Sequence, residues 1–487
     1  MGRADQLTID AGTPGIELME RAGSLVADAV RRKEPSGGRV LILCGPGNNG
    51  GDGFVAARLL KSAGYEIDVW LLGQPDRLAG DARLAFEAMG TEDVLAEDAD
   101  IEMELNRCTV VVDALFGAGL DRPLKGQALG VVEKVNAAKC PVVSVDLPSG
   151  INGASGKVMG AAIKAQETVT FFRLKPGHLL APGRFHCGPV VCGQIGIPAA
   201  VLTEISPKAF WNAPALWQDC WRGPRPGGHK YDRGHAVVFS GGMTTTGAAR
   251  LAAGAALRAG AGLVTVGSPP NAVLAHAAHL TAVMLQSVDG ADGISAMLSD
   301  PRLNAALIGP GFGVGEACRA ATEAILNAGC ASVLDADALT SFENEPDQLF
   351  RAIDDASDEV VLTPHAGEFA RLFPDLASMD KLAAARCAAD RSQAVIVLKG
   401  ADTVIAAPGG VAALNDNAPP WLATAGSGDV LAGIVTGLLA QALPAFEAAS
   451  MGVWLHGAAG AAAGPGLIAE DLCPALRKVI GDLVDKS

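Results

Sequence analysis

Arg39–Gly53 reads RVLILCGPGNNGGDG. Its first six residues form an apolar, β-branched run of strand length, and the next nine hold five glycines. FVAARLLKSA follows with helix-forming composition. Strand, glycine-rich turn and helix is how a parallel α/β unit opens. Gly45-Pro46-Gly47-Asn48-Asn49-Gly50 also satisfies G-x-G-x-x-G, and Asp68 follows about twenty residues on, so the literal reading is a dinucleotide fingerprint. Two details oppose the usual pyrophosphate use. Asn48 and Asn49 bring side-chain carbonyls, and Asp52 brings a carboxylate to the place a phosphate would take. Such oxygens suit a monovalent cation or ribose hydroxyls. A plain turn with Asp52 capping the helix is the structural alternative.

The same alternation continues through the first half. Glu66–Leu72, Cys108–Asp113 and Pro141–Asp146 read as strands, with helical composition in Gly53–Ala63, Asp81–Gly90 and Gly126–Ala138. Asp113 and Asp146 both close apolar runs. Parallel pairing would set them along one sheet edge near Asn49, although either carboxylate could simply cap a helix. From about Ile205 to His229 the periodicity stops, and Trp, Pro and Gly suggest a connection packed on a surface.

A second α/β pattern starts at His235–Ser240 and continues with a Gly/Ala-rich helix through Ala259 and a strand at Gly262–Gly267. Further strands are expected at Ala305–Gly309, Ser332–Asp335, Glu359–Thr363 and Ala394–Lys399, then a hairpin of Thr403–Ala407 and Gly410–Leu414. Ala425-Gly426-Ser427-Gly428-Asp429 opens an apolar helix. Its glycines let backbone amides converge on a phosphate or a developing oxyanion. A carboxylate inside such a nest would repel phosphate unless it takes a proton from an attacking hydroxyl. That combination points to phosphoryl transfer without a P-loop. Gly309–Gly313 (GPGFG) is a close-approach loop, and Asp335-Ala336-Asp337 could bind Mg²⁺ or cap a helix. His365 sits where a strand gives way to a helix, and Lys399–Thr403 (KGADT) forms a turn able to cradle a nucleotide phosphate.

Composition narrows the classes further. Of 487 residues 60 are glycine, about 12% against roughly 7% in ordinary proteins. No G-X-Y period or linker tract absorbs them, so many belong to turns and ligand-approach loops. Lys and Arg total 38 and Asp and Glu 53, a net charge of −15, and no basic run offers a nucleic-acid stripe. Ten cysteines without a CxxC pair favour free thiols and a reducing, cytoplasmic location. The N-terminal residues lack an apolar signal region, and the longest uncharged runs are broken by Gly, Pro and His, so no membrane association is expected. A small-molecule kinase resting on AGSGD alone, or a non-catalytic first half regulating the second, are the competing readings.

GPGNNGGDG, DALFGAGLDRP (Asp113–Pro123) and DLPSGING (Asp146–Gly153), followed in order by GPGFG, DADALT, TPHAGEFARL, KGADT and AGSGDVLAG, closely resemble the motifs of the bifunctional NAD(P)H-hydrate repair enzyme family. The resemblance spans almost the whole chain. It implies an α/β architecture: a Rossmann-like three-layer sandwich over 1–215 with epimerase activity, and a ribokinase-like domain over 225–487 with ADP-dependent dehydratase activity. It also implies roles by position. Asn48, Asn49, Gly50, Gly51 and Asp52, the loop Gly117, Ala118, Gly119, Leu120, Asp121, Arg122 and Pro123, and a catalytic Asp146 would meet the hydrated nucleotide, NADHX or NADPHX. Asn49, Asp113 and Ser149 would hold K⁺. In the second domain Ala248, Gly311 and His365 would contact substrate, with Asp429 as the base. Lys399, Gly400, Ala401, Asp402, Thr403 and Gly428 would hold ADP, with Mg²⁺ expected alongside. A homo-oligomer is expected, with no nucleic-acid partner.

Overall fold

Six strands carry the first half: β1 (Arg39–Cys44), β2 (Glu66–Leu71), β3 (Val110–Ala114), β4 (Val142–Val145), β5 (Glu167–Phe171) and β6 (Val190–Gly193). In the computed structural model they form one sheet in the order β2-β1-β3-β4-β5-β6. Every pairing is parallel. The structure describes residues 1–485 except 97, 98, 222 and 224–226. Strand residues alternate between two apolar layers. Val40, Ile42 and Cys44 pack with Val26, Val30 and Phe54 on one face, while Leu41 and Leu43 pack with Val131, Val132 and Val135 on the other. Both faces are therefore covered by helices, which is why these strands read as unbroken apolar runs. From β1 the succession of strands runs one way to β2 and the other way to β3, the switch point where doubly wound sheets open a crevice at their carboxyl ends.

The second half builds a ten-stranded sheet. Its strands are β7 (Ala209–Trp211), β8 (His235–Phe239), β9 (Leu263–Ser268), β10 (Met284–Ser287), β11 (Ala305–Ile308), β12 (Ala331–Leu334), β13 (Val360–Leu362), β14 (Val395–Leu398), β15 (Val404–Ala406) and β16 (Ala412–Leu414). The order is β10-β9-β8-β11-β12-β13-β14-β15-β16-β7. β8 to β14 pair in parallel, and β15 joins both of its neighbours antiparallel, as the hairpin reading expected. Across this sheet the helix Ser427–Leu439 lies on the helix Thr246–Ala259 at very short range. A Cβ at Gly433 would stand 2.1 Å from the Ala252 carbonyl oxygen, and one at Gly437 2.4 Å from that of Ala256. Here the glycines serve backbone approach.

Two differences from the sequence reading concern boundaries. The chain divides into Met1–Pro207 and Lys208–Ser487, so the second unit starts before the expected connection ends. Ala209–Trp211 pairs with β16 as the outermost strand, and Trp217, 1% exposed, lies in the second core. A three-residue strand is too short to show a period of two. Residues 222 and 224–226, within the expected connection and at the start of the expected second domain, lie outside the described residues, as does residue 487 at its end. The other difference is that the helix after β1 begins at Asn48, not Gly53. The amides and carboxylate of NNGGD therefore sit on helical turns rather than in a loop, and Asp52 is inside the helix instead of capping it.

Candidate active sites

In the first unit the carboxyl ends of β1, β3 and β4 frame a cavity of about 510 Å³. Asn48, Asn49, Asp52, Gly117, Ala118, Gly119, Leu120, Asp121, Arg122 and Asp146 all line it. Glycine is required beneath: a Cβ at Gly50 would lie 1.9 Å from the Gly45 carbonyl oxygen, and one at Gly117 would meet both Asp146 and Asn49 within 3 Å. Gly50, Gly51 and Pro123 are not in the lining. Gly50 and Gly51 are buried supports for the helix that carries Asn49 and Asp52.

Asp146 is the most constrained group here. Its φ of +61° lies in the left-handed region, a conformation that costs a non-glycine residue of order 1 kcal/mol. Contacts hold it there. Lys175 Nζ lies 2.6 Å from Oδ1, Thr170 Oγ1 donates to the same oxygen at 3.0 Å, and the Ala118 amide donates to Oδ2 at 2.8 Å. His178 Nδ1 accepts from the Lys175 amide, which leaves Nε2–H to donate to the Asp146 carbonyl at 2.7 Å. Burial opposes ionisation of Asp146, but the Lys175 ammonium outweighs it and holds the carboxyl below the usual range. Burial pushes His178 down to about 4, so its imidazole is neutral. Lys175 and His178 were not found from the sequence. The available signal was K-P-G-H, which begins after three further residues beyond β5.

Asp113 lies below the cavity and is fully buried. It accepts from Ser144 Oγ, Ser149 Oγ and the Ser149 amide at 2.8, 2.5 and 2.8 Å. Burial raises its pKa, and these donors offset part of the rise. Ser149 Oγ also lies 3.2 Å from the Phe116 carbonyl oxygen. One carboxylate among neutral oxygens suits a weakly hydrated monovalent ion better than a divalent one. The oxygens of Asp113, Ser149 and Phe116 are thus of the kind the expected cation takes. Asn49 Nδ2 is a buried donor without a hydrogen-bond partner, which marks a place for an accepting atom of a ligand rather than for the cation.

In the second unit the site again follows strand ends. Beyond β11, a Cβ at Gly309 would lie 1.7 Å from the Asp335 carbonyl oxygen, and one at Gly311 would lie 3.5 Å from the Ala248 Cβ. This brings the two expected substrate-contact positions together. Lys399 bridges the site: Nζ is 2.8 Å from Asp335 Oδ1 and 4.0 Å from Glu368 Oε2. A Cβ on Gly428 would lie 3.7 Å from the same ammonium. Burial would lower the Lys399 pKa, but Asp335 and Glu368 raise it overall, so the amine stays charged. Gly426, at φ +82°, opens the helix Ser427–Leu439, with Asp429 in its first turn. Burial, reinforced by Asp335 and Asp337 and opposed by Lys399, pushes Asp429 up to about 6.

Other expected residues have more local partners. His365 caps the helix Ala366–Leu372, its Nδ1 accepting from the Gly367 and Glu368 amides, while its side chain stays 56% exposed. Asp402 pairs with Lys381 at 2.6 Å and Thr403 bonds Gly400, so their side chains turn inward and Gly400 and Ala401 face out. Asp337 opens the helix Asp337–Thr340 and accepts from the Gly313 amide at 2.8 Å. No cluster of three acidic, His or Cys side chains with metal-binding geometry occurs among the described residues. One or two carboxylates are nevertheless enough for a Mg²⁺ carried on nucleotide phosphates. His456, from the helix Ala445–Ala463, shares a 3.0 Å hydrogen bond with Ser427 Oγ and was not anticipated.

Comparison with known proteins gives these two sites a context. Residues 236–477 match the family model described as NAD(P)H-hydrate dehydratase, and residues 15–177 match the YjeF-related protein N-terminus. The bifunctional NAD(P)H-hydrate repair enzyme of Moorella thermoacetica is 37% identical, covering 94% of this chain and 90% of that protein. The chain belongs to the bifunctional NAD(P)H-hydrate repair enzyme family. The Mycobacterium tuberculosis member is 38% identical over 92% of this chain and 89% of its own length. Among solved structures, the ADP/ATP-dependent NAD(P)H-hydrate dehydratase of Bacillus subtilis, co-crystallised with ATP and Mg²⁺, is 29% identical. It covers 56% of this chain and 98% of its own, with a TM-score of 0.48. Among the described residues no helix is long and apolar enough to cross a membrane.

Proposed function

We propose that Met1–Pro207 interconverts the R and S forms of C6-hydrated NADH and NADPH, and that Lys208–Ser487 dehydrates the S form with ADP. The observation that carries this reading is Asp429: a carboxylate in the first turn of a glycine-opened helix, with the Lys399 ammonium beside Gly428. In the dehydratase step Asp429 accepts the C6 hydroxyl proton as that oxygen attacks the terminal phosphorus of ADP. AMP leaves, and the amides at Gly426–Gly428 together with Lys399 steady the transferring charge. Loss of the C5 proton and of phosphate from C6 then forms the ring double bond. Phosphorylation turns hydroxide, a poor leaving group, into phosphate. Ala248, Gly311 and His365 contact the hydrated ring, and the turn Lys399–Thr403 meets the nucleotide through its outward backbone. Mg²⁺ carried on the nucleotide would neutralise phosphate charge.

In the epimerase step water departs from C6 and returns on either face. Asp146, held ionised by Lys175, takes the proton of the returning water. Asn49, Asp113 and Ser149 would hold K⁺, which would supply a fixed positive charge. We also place the protein in the cytoplasm, in keeping with its ten free thiols, and expect it to act as a homo-oligomer. Phosphorus NMR on the S hydrate with ADP tests the dehydratase half. AMP and phosphate should appear in equal amounts with NADPH. A stable phosphorylated product would favour the small-molecule kinase reading instead.

A further inference from the structure

The cavity of the first unit has a wall that the family model does not cover. Met1, Asp5 and Ile9, on or next to the helix Gly2–Asp10, line it, whereas the matched segment starts at residue 15. Besides Asp146, the lining carries four more acidic side chains, Asp5, Asp52, Asp81 and Asp121, against the cationic side chains of Lys175 and Arg122. Asp52 is 9% exposed and lines the cavity with no side-chain hydrogen bond or close ion pair among the described residues. A buried carboxyl left without a partner beside a carboxylate that has three calls for a division of labour. The reaction needs one: a hydroxyl can leave C6 only with a proton, and water can return only by giving one up.

We propose that Asp52 is the acid of the epimerisation, giving its proton to the C6 oxygen as the C–O bond breaks. The inference rests on the epimerase reading of this cavity. In the forward direction the Asp52 carboxyl becomes carboxylate, water leaves, and the ring nitrogen lone pair makes a C6=N1 iminium. Water then adds to C6, its proton passes to Asp146, and exchange with solvent restores both groups. No oxidant or cofactor is consumed. The acidic wall also favours the cationic intermediate.

The charges around Asp52 agree with this assignment. Asp146 after β4, Asp5 on the first helix, Lys175 after β5 and Cys44 on β1 are the titratable groups that interact with it, and Asp81 on the helix Gly80–Met89 faces the same cavity. Burial is the largest influence and raises its pKa well above the carboxylate range, with Asp146 and Asp5 adding to the rise and Lys175 opposing it. An acid and a base whose environments push their affinities apart are what proton shuttling in one cavity requires.

The test follows interconversion of R and S hydrates by NMR with the full chain and no ADP, so that only the first unit acts. Asp52→Asn should slow it at least about 100-fold, the low end for loss of an acid–base group. Dehydration of pure S hydrate with ADP should be unchanged, and circular dichroism and thermal unfolding of the variant should keep the parent's transitions, which reports an intact first unit. Asp5→Asn removes a negative neighbour, so the alkaline limb of the epimerisation profile should move to lower pH. Interconversion by Asp52→Asn at the parental rate, or an unmoved alkaline limb in Asp5→Asn, overturns the inference while leaving the epimerase reading intact. A parent chain that interconverts nothing removes that reading and this one together.

Discussion

Asp429 illustrates how position sets chemistry. With its pKa pushed up to about 6, dehydration should rise with pH through that region as the base form appears, then level off. The same rise has a stability consequence. A carboxyl whose folded pKa lies above its unfolded value of about 3.9 favours the folded state when protonated, and that benefit is lost as pH climbs from about 4 to 6. Asp429→Asn should therefore abolish dehydration, spare epimerisation, and raise the melting temperature at pH 8 but hardly at pH 4.5. Asp146 has the opposite sign. Its depressed pKa contributes stability above the unfolded value, lost as pH falls through the folded one. Lys175→Met leaves a buried charge unpaired and should cost about 3–5 kcal/mol in denaturant unfolding at pH 7, moving the acid limb of epimerisation to higher pH. Asp146 and Asp429 were readable because each closes or opens an apolar run. Lys175 was not, because its partner lies 29 residues earlier and only the parallel pairing of β4 with β5 brings them together.

Helix and strand placement followed periodicity wherever runs were long. β1, β8 and the β15–β16 hairpin stand close to where their sequences put them. β5, with threonines at 168 and 170, and the three-residue β7 lack an unbroken apolar signature, and they were missed. The start of the helix after β1 was misplaced for a different reason. Glycine at 50, 51 and 53 argues against helix by propensity, yet tertiary contacts demand it: side chains there would strike the Gly45 carbonyl, Met19 and Ala114. The same logic governs Gly433, which lets the Asp429 helix sit against Ala252. Gly433→Ala should cost about 1–3 kcal/mol by overpacking, seen as a lower melting temperature. Dehydration should fall too, because the shift carries Ser427–Asp429 with it.

The chain unites two units, each with a candidate site at strand ends beside a switch in strand order, in a protein of net charge −15. On the proposed reading, backbone amides and Lys399 would supply the donors in the second unit, so no basic surface would be needed there. The division at Pro207 and Lys208 makes its own prediction. A fragment from Lys208 onward should fold and dehydrate S hydrate, while one starting at Gly227 loses β7 and the buried Trp217. The shorter fragment should be less stable by about 3–5 kcal/mol, the usual cost of deleting a core tryptophan, checked by urea unfolding. Neither the boundary nor the acidic cavity wall could be read beforehand, since both depend on contacts distant in sequence. The central claim is that one chain repairs both epimers. The most direct measurement gives the full chain an R/S mixture of hydrated NADPH with ADP and follows reduced-nicotinamide absorbance. Complete recovery is predicted, with Asp146→Asn stopping once the S form is used. No recovery, or full recovery by Asp146→Asn, would contradict the account.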